Sequence, residues 1–373
     1  MEKTLSRDAV AEALQHAGFS QAELARRLEV SSQAVTNWLK GKDFPRPDKL
    51  LKMSVLLRVP FDKLVQRTAG QAPVIAFRKR GGTKTTDAHL EHAAAMGYLL
   101  KSVVEFLPTR PSLRPRLNSP SLEYMQLQRA IVDVRTKLGV GTTVPLEYSH
   151  LIGQFIEAGA VLIPVLWGEK KRHENAVHIC LPAEDITFIY LNLDTKLEDF
   201  KFWMAHELAH VYTPKLAGSD EGEDFADAFA GALLFPEPCA KVAYADAIGK
   251  SEPEAVRALN QHAVSHSISV YSVFCEVQKY QESAGLPPIA TTETAIHKFR
   301  NGNASSLVSA ALFGDEAPTA KVYVHACEEI FRCQLFSALR AIIKMRSVGP
   351  TFVHQVLDIP LSDASAIHAE LSA

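Results

Sequence analysis

The chain has 373 residues, 47% of them hydrophobic and 22% charged, with a formal net charge of −2. This globular composition can build two or three domains with cores of their own, and its near-neutral total excludes a bulk polyanion binder. Met1-Glu2-Lys3-Thr4 leads into a polar stretch with no secretory pattern, and the apolar run 158–167 is too short to span a bilayer. The five cysteines are scattered, odd in number and without metal-ligand spacing, which predicts buried thiols in a reducing cytoplasm.

Residues 6–67 predict a helical unit whose first helix presents Ala9, Val10, Ala13 and Leu14 on one face. A second helix follows over 21–28, then the short turn Glu29-Val30-Ser31, then a third helix over 32–40 that ends at Gly41. Two helices joined this closely make a helix-turn-helix, whose second helix enters the DNA major groove. The run Ser20-Gln21, Leu24-Ala25, Leu28, Val30-Ser31, Val35, Trp38 and Gly41 resembles the Cro/C1 (XRE) type of repressor domain. Leu24, Ala25, Val30, Val35 and Trp38 are expected in its core. Ser32, Gln33, Thr36 and Asn37 lie on the exposed N-terminal half of the third helix. Gln and Asn pair bidentately with adenine edges, so these four are the expected base readers, with Gln21 and Lys40 on phosphates. Residues 1–67 carry twelve Lys/Arg against eight Asp/Glu, and Arg78-Lys79-Arg80 and Lys84 extend the basic surface. The expected partner is double-stranded operator DNA, bound by a homodimer on a palindrome. A bundle used only for dimerisation, with a solvated basic linker after it, is the competing reading.

Residues 69–86 predict a linker with a short strand at 74–77, and 87–107 a helix. A proline-rich connection over 109–120 leads to helices over 124–138 and 146–159 and a buried strand over 160–167. Two further strands, 176–181 and 186–191, are joined by the turn Pro182-Ala183-Glu184-Asp185. A small antiparallel sheet of this kind can hold an extended peptide along its edge strand.

The chemistry concentrates in residues 200–236. His206 and His210 are four apart in His206-Glu207-Leu208-Ala209-His210, so a helix directs both imidazoles to one point. This is the H-E-x-x-H arrangement of zinc peptidases, with Glu207 placed to reach a water beside the metal. Phe200, Trp203, Met204, Leu208 and Val211 supply the apolar body of that helix, and Pro214 stops it. Ser219 then caps a second helix. Asp220 and Glu221 suit its dipole, whereas Glu223 and Asp227 share one face opposite Phe225, Phe229 and Leu233. A catalytic zinc takes three protein ligands, and Glu223 is the expected third. Asp227 is placed to accept the other ring N–H of a ligating histidine and fix its tautomer.

The HELAH pentapeptide, followed by Glu223, Ala226-Asp227, Phe229-Ala230, Leu233-Leu234 and Pro236, resembles the ImmA/IrrE family of metallopeptidases. Ile189-Tyr190-Leu191-Asn192 and Phe202-Trp203-Met204-Ala205 resemble that family's strand-to-helix entry. The likeness covers roughly residues 124–244. It departs at Ala209, where the family has Gly, and at Thr213-Pro214, where a Leu-His is frequent; no expected ligand is lost. The implied architecture is mainly α with a small β-sheet. An all-α helix-turn-helix domain (1–67) precedes a linker and packing helix (68–120), an α+β zincin-like metallopeptidase domain (121–245) and a helical C-terminal region (246–373).

Zinc on His206, His210 and Glu223 lowers the pKa of its water to about 7, and Glu207 takes that proton during attack on a peptide carbonyl. Tyr190, Tyr212, His262 and His266 are the residues considered for the oxyanion donor, but ordinary packing or surface is the favoured reading of each. Leu335, Leu339, Ile342 and Met345 form an apolar stripe in the last third. The expected function is a cytoplasmic DNA-binding regulator with a zinc endopeptidase domain. In the family resembled, the substrate is a helix-turn-helix repressor, cleaved in a stress or mobile-element response. A DNA-binding autoregulator of a toxin–antitoxin or phage-defence operon with an inactive or sensory peptidase fold is the alternative. A non-proteolytic zinc hydrolase is the third.

Overall fold

The computed structural model describes residues 3–40, 43, 45–67, 73–77, 87–108, 115–168, 176–302 and 306–373. The chain divides into two units, Met1–Ala72 and Pro73–Ala373. Among the described residues no helix is long and apolar enough to cross a membrane.

The first unit runs β1 (Lys3–Leu5), α1 (Arg7–Ala17), α2 (Gln21–Leu28), α3 (Ser32–Leu39), α4 (Pro47–Leu57), α5 (Phe61–Leu64) and β2 (Val65–Arg67). Ser6, Ser20 and Ser31 start the first three helices by accepting a backbone N–H from three residues ahead. The turn between α2 and α3 hinges on Glu29, which adopts the left-handed conformation at φ 56°. Its N–H reaches Arg26 O and the Val30 N–H reaches Ala25 O, the paired closure that ends a helix sharply. Val10, Leu24, Leu28, Val35, Trp38, Leu50 and Met53 fill the core. Leu24, Ala25, Val35 and Trp38 are therefore buried as expected, and Val30 is half-buried. The expected all-α domain needs one correction. β1 and β2 pair antiparallel, Lys3 opposite Arg67, and close the two ends of the unit on each other. Three-residue strands carry too little periodicity to be read in advance. Gly41 and the basic run Arg78-Lys79-Arg80 with Lys84 lie outside the described residues.

The second unit begins with β3 (Val74–Phe77), α6 (Asp87–Val104), α7 (Tyr124–Lys137), α8 (Tyr148–Glu157), β4 (Ala160–Val165), β5 (Ala176–Leu181) and β6 (Ile186–Asn192). It continues with α9 (Leu197–Tyr212), α10 (Asp220–Leu234), α11 (Glu237–Ala247), α12 (Glu252–His266), α13 (Val270–Ser283), α14 (Glu293–Gly302) and α15 (Val308–Phe313). α16 (Ala320–Ile330), α17 (Leu335–Arg346), α18 (Pro350–Leu357) and α19 (Leu361–Ser372) complete it. The sheet order is β3-β5-β6-β4. β3–β5 and β5–β6 are antiparallel, but β4 lies parallel to β6, so the expected antiparallel sheet is mixed. β4 is buried along its whole length, the near-continuous apolar run that parallel strands show. Pro164 is tolerated there because β4 is an edge.

Period-two alternation sends side chains into two cores. Leu162, Ala176, Ile189 and Leu191 join the core built with α7 to α13, whereas Val161, Val177, Ile179, Phe188 and Tyr190 join one built with α6 and α16 to α19. The sheet is thus the middle layer of three. The sequence boundaries at 121 and 246 do not appear as divisions of this unit. Residues 246–373 close both helical layers, and their backbone accepts hydrogen bonds from β6 and from the segment after β4: Tyr190 Oη donates to Val356 O at 2.6 Å and Trp167 Nε1 to Leu357 O at 3.2 Å. Leu335, Leu339 and Ile342 are buried, but Met345 is 74% exposed, which shortens the expected stripe by one position. The strand expected inside the linker is the sheet edge β3. It is anchored at Pro73, whose ring leaves no room for a side chain on Gly97 of α6: a Cβ there would lie 2.7 Å away.

Candidate metal centre and nucleic-acid interface

α9 lies under the sheet with Phe200, Met204, Ala205, Leu208 and Ala209 buried, and this fixes which face carries the histidines. Its N-terminus has no side-chain cap. Glu198 and Asp199 occupy the first turn, and Arg300 bonds both. Ser219 Oγ caps α10 by accepting the Gly222 N–H at 3.0 Å. At Gly222 an added Cβ would stand 2.0 Å from Leu216 O, so the absence of a side chain lets the first turn of α10 press onto the preceding loop. Glu223, the next residue, is thereby brought over α9.

The expected ligands converge. His206 Nε2 and His210 Nε2 are 3.1 Å apart, Glu223 Oε2 is 3.4 Å from the first and Glu223 Oε1 3.3 Å from the second. A tetrahedral zinc with bonds of about 2.0–2.1 Å requires ligand atoms about 3.3–3.4 Å apart. The two histidine–carboxylate separations, one to each Glu223 oxygen, match that requirement and the histidine–histidine one is about 0.2 Å short of it. Among the described residues these three form the group that could hold a metal ion. His206 Nδ1 lies 2.8 Å from Asp227 Oδ1, the contact expected to fix the tautomer that leaves Nε2 for metal. Both histidines are 1% exposed; the Glu223 side chain is 29% and Asp227 53% exposed, so the centre opens along α10. Burial raises the pKa of Glu223, but hydrogen bonds from His206 and His210 outweigh it and bring it to about 2.

Glu207 points between α9 and the sheet, 1% exposed. Its Oε2 is 3.3 Å from Nδ1 of His178, itself 1% exposed on β5. Burial alone would raise the Glu207 pKa; His178, His210 and His206 reverse this and leave it lowered. Sequence reasoning missed His178. The signal available was a lone polar residue in the apolar run Ala176-Val177-His178-Ile179-Cys180-Leu181.

None of the four residues considered for the oxyanion role is offered to the centre. Tyr190 has the opposite strand parity, stacks on Trp167 in the other core and donates to Val356 O. The Tyr212 hydroxyl is taken by Gln154 Oε1, His262 pairs with Asp246 at 2.8 Å, and His266 Nδ1 lies 2.9 Å from His262 O.

In the first unit Gln21, Ser32, Gln33 and Lys40 are exposed and Thr36 and Asn37 half-buried. Of the four expected readers, Ser32 and Gln33 are thus exposed as expected, while Thr36 and Asn37 are only half-exposed. Gln33 Nε2 donates to Asn37 Oδ1 at 2.9 Å, so these two amides orient each other, while the Thr36 hydroxyl is spent on Ser32 O. Residues 10–64 match the helix-turn-helix family model. The N-terminal unit is a DNA-binding helix-turn-helix of the kind found in transcription regulators. No curated protein and no solved structure matches the chain.

Proposed function

We propose that the chain is a DNA-binding transcriptional regulator whose second unit is a zinc-dependent endopeptidase of ImmA/IrrE type. The carrying observation is the convergence of His206 Nε2, His210 Nε2 and the two Glu223 oxygens, with neighbouring atoms 3.1–3.4 Å apart. Zinc, when bound there, supplies a Lewis acid that makes a water acidic near neutral pH and polarises a carbonyl. Asp227 keeps His206 in the tautomer that presents Nε2. Glu207 takes the proton of the attacking water and delivers it to the leaving amine. The exclusion of water around Glu207 strengthens each of these contacts. By the resemblance, the substrate is a protein of helix-turn-helix repressor type, cleaved in the cytoplasm in a stress or mobile-element response, and the regulator is a homodimer on its operator.

The test is incubation of the zinc-loaded chain with a proteome-derived peptide library, with new N-termini read by mass spectrometry. Cleavage that a chelator stops and zinc restores supports the reading; a library left intact by a zinc-loaded chain sinks the peptidase. For the DNA half, Gln33→Ala is expected to cost about 1–3 kcal/mol on the preferred operator and to relax selection at one base position, while Lys40→Ala weakens all duplexes alike. Selection from a random duplex pool followed by titration separates the two. If Gln33→Ala leaves the selected sequence unchanged, Gln33 is not a reader.

The second reading, a regulator with an inactive or sensory peptidase fold, is favoured by one observation. His206, Glu207 and His210 are each 1% exposed, so a peptide reaches them only from the side of Glu223. Bound zinc without any cleavage supports it.

A further inference from the structure

We propose that His178 is the positioning residue for Glu207: its Nδ1–H holds Oε2 of the carboxylate and leaves Oε1 as the oxygen that takes the proton. The inference rests on the zinc-peptidase reading of the same centre. His178 and Glu207 are both 1% exposed, and a carboxylate removed from water needs a donor beside it. His178 Nδ1 faces Glu207 Oε2 at 3.3 Å, and neither atom makes a closed hydrogen bond, so each is a buried polar atom for which the other is the partner at hand. β5 is hydrogen-bonded on both sides, with His178 opposite Ala76 of β3 and Ile189 of β6, so the backbone beneath this ring is fixed by the sheet. The ring stands edge-on to His210, with centroids 5.6 Å apart, which restricts its rotation. A rigid strand thus sets the rotamer of a residue on a helix. Adjacency to His206 along α9 does not do this, because it leaves the Glu207 side-chain torsions free. This is the outer support a catalytic group needs to stay within a few tenths of an ångström of its productive place.

The test uses the full-length chain loaded with zinc and acetohydroxamate as the probe, a small zinc chelator whose proton the base accepts. Zinc content is measured first on native protein, His178→Ala, His178→Asn, Glu207→Gln and the double variant His178→Ala/Glu207→Gln. Expected are one zinc per chain in all five and a roughly ten- to hundredfold weaker probe affinity for His178→Ala. His178→Asn, whose amide N–H can stand in for Nδ1–H, should recover to within about threefold of native. In the Glu207→Gln background, His178→Ala should add no further loss, the non-additivity of residues that act as a unit. Three results overturn the inference with the metal centre intact: native affinity in His178→Ala, a loss that multiplies in the double variant, or a zinc-loaded His178→Asn as weak as alanine. A native chain that binds no zinc overturns the metal centre itself, and the inference with it.

Discussion

Glu207→Gln is expected to retain one zinc per chain and to lose roughly 10²–10⁴-fold of the cleavage rate. Glutamine keeps the shape and a carbonyl acceptor but cannot take a proton, so the loss isolates proton transfer from metal binding. The ligand atoms belong to His206, His210 and Glu223, none of which the substitution touches. Metal analysis beside cleavage of the peptide library reads both quantities on one preparation. Undiminished cleavage by the glutamine variant would remove Glu207 from the chemistry.

The largest effect expected on stability is at Arg135. Its guanidinium is 1% exposed and donates to Leu233 O at 2.6 Å, to Gly141 O at 2.8 Å and to Val144 O. It therefore ties the end of α7 and the following turn to the last carbonyls of α10, the helix that presents Glu223. Burial lowers its pKa, but the group stays a cation. Arg135→Ala leaves three carbonyls without their donor and opens a cavity. With unmet buried acceptors at about 1–3 kcal/mol each, a loss of about 3–5 kcal/mol is expected. Thermal unfolding should fall by roughly 10 °C. Arg135→Lys, which fills the space but has one nitrogen for three acceptors, should recover only part of it. A melting temperature within about 2 °C of native for the alanine variant would show that solvent replaces these bonds.

The convergence of His206, His210 and Glu223 was legible because much of its geometry is local. Two residues four apart on one helix, and Ser219 capping the next, fix directions without any knowledge of the sheet. His178 was not legible. It meets Glu207 across two elements, and which strand residues face α9 depends on a parity that only the sheet register settles. The same parity decides Tyr190, favoured in the sequence as packing: its ring is one residue out of phase with the site-facing Ile189 and Leu191. The second core was hidden for a related reason: Leu335, Leu339 and Ile342 show one apolar face, but nothing in them names the far side of the sheet as its partner. In the N-terminal unit the cap serines and the spacing of Leu24, Val35 and Trp38 sufficed, whereas β1 and β2 were too short to register. Gln33 is exposed as the helix pattern implies, but the half-burial of Asn37 and the hydrogen bond that orients one amide against the other were not legible.

The measurement that tests the central claim most directly is zinc content by elemental analysis, for the native chain and His206→Ala purified in parallel. One zinc per native chain, and none in the variant with its helical content preserved, is the predicted result. A native chain that stays free of zinc after incubation with the ion and gel filtration would contradict the metal centre and leave a DNA-binding regulator whose second unit does not use this metal.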